Sequence, residues 1–153
     1  MPVSVRYRFT QDLPLPPKEA YLWCTNYTEQ DHALMGNANA ERQITPLTDT
    51  ALILKDIFHT GNGDVEKQKL VCLYPDRLCW VSTHLTGATK YSQFIYQISA
   101  KDDGKSQLEF TALHIDQEKE HLTDKEAQAL AASLSASDAK IWKQLAFEMK
   151  KNA

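Results

Sequence analysis

Apolar residues recur at three- and four-residue steps through Ala127, Leu130, Ala131, Leu134, Ile141, Trp142, Leu145 and Met149, one stripe of a helix turning about 100° per residue. Just ahead of the stripe, Thr123 and Glu126 stand three apart, the pair that caps a helix start by satisfying two early backbone N–H groups. The spacing predicts a helix over 123–151. Asp124 and Glu126 fall at its positive end, and Lys143, Lys150 and Lys151 towards its negative end, the order the helix dipole favours. At about 1.5 Å per residue it runs roughly 40 Å, so it needs a large surface to lie on.

A different period governs the amino terminus. Val3, Val5, Tyr7 and Phe9 alternate with Ser4, Arg6 and Arg8, the pattern of a strand with one buried and one wet face. Prolines 14, 16 and 17 end it, and Pro17 opens a short helix through Glu19, Ala20, Leu22 and Trp23. A second short helix is predicted over 28–35, with Thr28 and Asp31 as a cap pair and Gly36-Asn37 as its stop. Residues 41 to 116 then read as β throughout, with strands near 41–47, 50–59, 65–74, 77–85, 89–101 and 106–116. Turn chemistry separates them at Thr48-Asp49, Gly61-Asn62-Gly63-Asp64, Pro75-Asp76, Thr86-Gly87 and Asp102-Asp103-Gly104. Short consecutive connections imply an antiparallel meander. The expectation is a single α+β domain over 1–153, in which a curved antiparallel sheet of about seven strands grips a long carboxy-terminal helix, with two short helices after strand 1.

Composition narrows the function classes. With 17 Lys and Arg against 20 Asp and Glu the net charge is −3, which argues against a dedicated nucleic-acid or anionic-membrane binder. No stretch is apolar enough to span a bilayer and the start lacks a secretory core, so the cytoplasm is the expected compartment. Cys24, Cys72 and Cys79 are too few and odd in number for a disulfide framework. If Pro75-Asp76 is a two-residue loop, Cys72 and Cys79 face each other as small buried side chains. Histidines 32, 59, 84, 114 and 121 are scattered without the spacing of a zinc site, so no metal and no cofactor is expected. Neither a nucleophile elbow nor a glycine-rich phosphate loop is present.

The order of elements resembles the helix-grip superfamily, the START-like or SRPBCC domains that include pollen-allergen-like carriers, polyketide cyclases and lipid-transfer domains. The residues behind the likeness are the opening strand at 3–9, the helix Pro-Lys-Glu-Ala-Tyr-Leu-Trp at 17–23, hairpins over 70–80 and 91–113, and the helix at 123–151. The resemblance implies a cavity between the long helix and the concave sheet. Small residues, Ala127 and Ala131, occupy the first half of the helix stripe, which places the expected hollow beneath 127–134 and leaves the bulky half, Ile141, Trp142, Leu145 and Met149, to close the core. The alternative is that sheet side chains fill the gap.

Asp138 interrupts the stripe, within about 20° of its centre, where an ionised carboxylate is costly without a partner. It would contact a ligand or act as a base, or else end in a kink, a water or a salt bridge to Arg6, Arg8 or Lys55. Asp56 follows Leu52 and Leu54, His84 follows Trp80 and Ser82, and His114 follows Phe110 and Ala112. Each shares a strand face with those apolar residues, though apolar residues in the opposite phase leave a surface role open. Tyr91, Gln93 and Tyr96 are further donors. The expected ligand-binding set is Asp138, Leu134, Ala131, Trp142, Leu145, Trp80, His84, Asp56, His114 and Tyr91. The expected function is binding of a hydrophobic small molecule, lipid-like, polyketide-like or isoprenoid-like, as carrier or sensor. The alternatives are a cyclase or dehydratase, and a protein-interaction domain resembling chaperone co-activators, for which Phe147 is the one hint.

Overall fold

The computed structural model describes residues 2–151. In chain order the elements are β1 (Val3–Leu13), α1 (Pro17–Thr25), α2 (Asp31–Leu34), β2 (Ala40–Thr48), β3 (Ala51–Thr60), β4 (Gly63–Tyr74), β5 (Cys79–His84), β6 (Gln93–Ala100), β7 (Ser106–Asp116) and α3 (Asp124–Lys151). The seven strands form one antiparallel sheet in the order β1-β7-β6-β5-β4-β3-β2. The meander from β2 to β7 follows from its short turns. The chain crosses the sheet once, through α1 and α2, so β1 pairs with the last strand, Val3 opposite Asp116 and Leu13 opposite Ser106.

Alternation sets the sheet's two faces. On β7 the side chains of Ser106, Leu108, Phe110 and Ala112 are buried, while Thr111 and Glu109 between them are only partly covered. Leu13, Leu54, Val71, Trp80, Ile98, Leu108 and Phe110 form one core with Ala20 and Tyr21 of α1 and Trp142 and Met149 of α3. The strand pattern of β1 carries on past Phe9 to Leu13, which is buried, before Pro14 stops it. Among the described residues no helix is long and apolar enough to cross a membrane.

Two local expectations fail for backbone reasons. The strand expected over 89–101 begins only at Gln93, so residues 89–91 are not part of β6. They turn instead, and Tyr91 takes a left-handed conformation with φ 77°, which a strand excludes. The β4–β5 connection is longer than two residues. Pro75–Arg77 makes one 3-10 turn and Leu78 follows at φ 51°, since a tight two-residue hairpin asks for positive φ where Pro75 is locked negative. The register therefore sets Cys79 opposite Tyr74 and Cys72 opposite Val81, so the two cysteines do not face each other; all three thiols are free.

The start of α3 is built as a reciprocal cap. Glu126 N–H donates to Thr123 Oγ1, and Thr123 N–H donates to Glu126 Oε1, both at 3.1 Å. Thr123→Ala is expected to cost about 1 kcal/mol of stability in urea unfolding, with Thr123→Ser restoring most of it. A change within error would show that the frayed end is not coupled to the core.

Candidate ligand-binding site

Between α3, the inner sheet face and residues 23–35 lies a cavity of about 480 Å³, within the usual range of small-molecule sites. Its floor includes a row of rings that the cross-strand register sets side by side: Trp80 opposite Tyr96, Tyr96 opposite Phe110, and Phe110 opposite Phe9. Trp80 and Tyr96 stack at 4.6 Å between centroids and 2° between planes. Trp142 reaches down from α3 to within 5.7 Å of the Tyr96 ring and 6.3 Å of Trp80. Phe94 and Phe110 extend this apolar wall.

Polar groups share the lining with these rings. Asp138 projects from α3 into the cavity, where the Tyr7 hydroxyl of β1 donates a hydrogen bond to its Oδ2. Burial raises the Asp138 carboxyl above the usual range, opposed by the Tyr7 hydrogen bond and the neighbouring His114. Tyr7 is itself pushed up, first by burial and then by that carboxylate. On β5, His84 Nδ1 stands 2.9 Å from Thr89 Oγ1. Burial, then the charges of Lys69 and Lys67, depress the His84 imidazole to about 3. His114 is lowered too, chiefly by burial. At neutral pH both rings are uncharged, each with a nitrogen able to accept a proton.

Beside them is a charge cluster on β2, β3 and β4. Asp56 is fully buried. Arg42 Nε and Nη2 donate to its two oxygens at 2.7 and 3.1 Å, and Arg42 Nη1 donates to Asp31 Oδ2 at 2.8 Å. Lys69 Nζ lies 2.8 Å from Asp56 Oδ2. His32 Nε2 is 3.0 Å from Asp56 Oδ1 without good hydrogen-bond alignment. Burial alone would raise the Asp56 carboxyl, but His32, Arg42 and Lys69 together hold it well below the carboxylate range. Asp31 also accepts from Thr28 N–H and Oγ1, both at 3.0 Å, so Arg42 fastens α2 to the sheet. Thr28, Asp31, Leu34 and Met35 of this segment face the cavity.

Of the residues singled out by sequence, Asp138, Leu134, Trp142, Leu145, Trp80, His84 and His114 line the cavity. Three do not. Asp56 shares the inward face but lies beneath the wall as counter-ion to Arg42 and Lys69. Tyr91 is 58% exposed, because its left-handed backbone takes it out of β6 and its ring meets Lys90 instead. Ala131 is not at the wall: the α3 residues that line the cavity are Leu134, Ser137, Asp138, Ile141, Trp142 and Leu145, which places the hollow under the second half of the helix. The partner of Asp138 is Tyr7, in place of Arg6, Arg8 or Lys55. Sequence reading missed Tyr7, Arg42, Lys67 and Lys69. The signal was present, since Lys67 and Lys69 fall in phase with Val71 and Leu73 on β4.

No family model and no curated protein matches the sequence. Solved structures do match in shape. The Zhui aromatase/cyclase from Streptomyces sp. R1128 superposes with a TM-score of 0.76 at 11% identity, over 97% of this chain and 95% of that one. Norcoclaurine synthase from Thalictrum flavum, solved with dopamine and hydroxybenzaldehyde, gives 0.73 at 9% identity over 99% and 90%. Ara h 8.0201 gives 0.70 at 12% identity over 97% and 99%. The likeness is one of fold: a curved antiparallel sheet around a long carboxy-terminal helix, the helix-grip fold.

Proposed function

We propose that this chain binds a hydrophobic, ring-bearing small molecule in the cavity under α3, as a carrier or sensor. The observation that carries the reading is the hollow itself: about 480 Å³, with an aromatic wall of Trp80, Tyr96, Phe94, Phe110 and Trp142 and with His84, His114, Lys67, Lys69 and Asp138 among its polar lining. Mostly apolar walls with a few placed polar groups are how small-molecule sites are generally built. Structures of the same fold include an aromatase/cyclase and norcoclaurine synthase solved with dopamine and hydroxybenzaldehyde, which supports the reading at the level of fold. A filled cavity beneath an exposed apolar patch would favour a protein-interaction role, whereas here the cavity is open. Three free thiols suit a reducing compartment such as the cytoplasm.

The test is titration with the uncharged fluorophore N-phenyl-1-naphthylamine, alongside native mass spectrometry of the freshly purified chain. Wild type is expected to bind the dye at one site. Ser82→Phe, which adds a ring to the buried cavity wall on β5, is expected to weaken binding at least about tenfold, equivalent to about 1.4 kcal/mol. Absence of saturable binding together with no co-purifying molecule would end the proposal.

A second reading rests on one specific observation. A neutral His84, and Asp138 held by Tyr7, line the same cavity. The carboxyl of Asp138, raised by burial, is the group placed to move a proton at an enolisable carbon, with the uncharged His84 ring as a hydrogen-bonding partner in the same cavity. Asp138→Asn separates the readings: an enzyme loses turnover while retaining ligand, whereas a carrier has no turnover to lose.

A further inference from the structure

One cation at the cavity wall has no close counter-charge, and its position says something about the ligand. Arg42 is spent: its guanidinium serves Asp56 and Asp31. Lys69 completes the neutralisation, with two cations against two carboxylates, and one of its three N–H donors answers Asp56 at 2.8 Å. Lys67 is left over. Among the described residues no carboxylate pairs with its ammonium within 4.0 Å; it lies instead 5.6 Å from the centroid of the Phe58 ring. Lys67 and Lys69 are two apart on β4, both partly buried and both at the cavity wall. Side chains at that spacing leave one face of a strand roughly 7 Å apart at their roots, close enough for two flexible ammonium groups to converge on one oxyanion. The remaining polar wall adds no second cation, because His84 and His114 are neutral at pH 7. A third carboxylate in the lining, Asp138, accepts from Tyr7 and feels the charges of Lys69 and Lys67, but it forms no ion pair with either within 4.0 Å.

Building on the proposed binding function, we infer that the ligand is an aromatic or polycyclic acid, its rings on the Trp80–Tyr96 stack and its carboxylate between Lys67 and Lys69. The Arg42–Asp31–Asp56–Lys69 cluster, two cations against two carboxylates, holds Lys69 in place, and Lys67 supplies the cation with no carboxylate within 4.0 Å among the described residues. This distinguishes the site from a general apolar hollow, which would rank ligands by ring surface alone.

Two dyes with the same ring system test it: 1-anilinonaphthalene-8-sulfonate, which carries an oxyanion, and N-phenyl-1-naphthylamine, which does not. Wild type is expected to bind the sulfonate about tenfold more tightly, the scale of a hydrogen bond to a charged group. Lys67→Gln is expected to bring the ratio of the two affinities to about two or less, and Lys67→Arg to keep it high. Lys125→Gln, exposed on the first turn of α3 and outside the cavity, is the control and should leave the ratio unchanged. If both dyes bind equally well and Lys67→Gln changes neither, the anion inference is overturned while the binding function stands. If neither dye binds, both fall.

Discussion

Asp56→Ala is expected to remove about 3–5 kcal/mol of folding stability, the usual cost of deleting one partner of a buried ion pair. The side chain is fully buried, and Arg42 and Lys69 both depend on it. Without it two cations keep their desolvation penalty and lose their nearest counter-charge. A domain of this kind has about 5–15 kcal/mol in total, so the variant should sit near the edge of folding at 37 °C. Guanidinium unfolding at pH 7 measures the loss. Asp56→Ala with Lys69→Met is expected to recover part of it, because the second cation no longer needs a partner. A loss below about 1 kcal/mol would place Asp56 among exposed pairs and refute its role as the anchor of β2, β3 and β4. The pH dependence has a definite sign. Asp56's folded pKa is depressed, so its contribution is complete above the ordinary carboxylate range and disappears only as pH falls through the folded value. Mild acid leaves it intact.

Mild acid should act instead through His84. Its folded imidazole titrates at about 3, against an ordinary value of 6.5, so between those limits the unfolded chain binds a proton that the folded chain excludes. Stability therefore falls as pH drops below 6.5. By pH 5 the loss from this group is expected to reach about 2 kcal/mol, at about 1.4 kcal/mol per pH unit. Asp138 works in the opposite direction, since a carboxyl with a raised folded pKa costs stability when ionised and returns it as pH falls. The effect of His84 is isolated by comparing pH profiles of wild type and His84→Asn. The variant starts lower at pH 7.5, having lost its ring contact with Phe94, but its fall between pH 6.5 and 5 should be smaller by about 2 kcal/mol, what remains coming from His114, whose imidazole burial also lowers. Parallel profiles would mean that His84 is solvated when folded.

The architecture was legible because its signals are periodic and local. Three-and-four spacing with the Thr123–Glu126 pair marked α3, and alternation with turn residues marked the strands; the boundaries at 106–116 agree with β7 as found. The site was legible only in part, and the failures share a cause. Alternation told that Asp56, His84 and His114 share the inner face, but not whether a cation would claim one of them first. Arg42 lies 14 residues from Asp56 in sequence and is its partner only through the β2–β3 register. Tyr7 meets Asp138 from 131 residues away, a distance no spacing rule reaches. The alanines of α3 were read as space, yet the hollow lies under the second half of the helix. Tyr91 was misplaced by a single backbone angle.

The pairing of β1 with β7 bears on the order in which the molecule is made. The first strand emerges from the ribosome early and must wait about a hundred residues for the edge it will join, a separation that slows folding. Tyr7 and Phe9 are on that strand, and Leu134 to Leu145 come later still. The chamber is therefore among the last features to form during synthesis. A chain made only as far as β7 has ring-bearing strands but no roof over them, so ligand capture requires α3 to be in place.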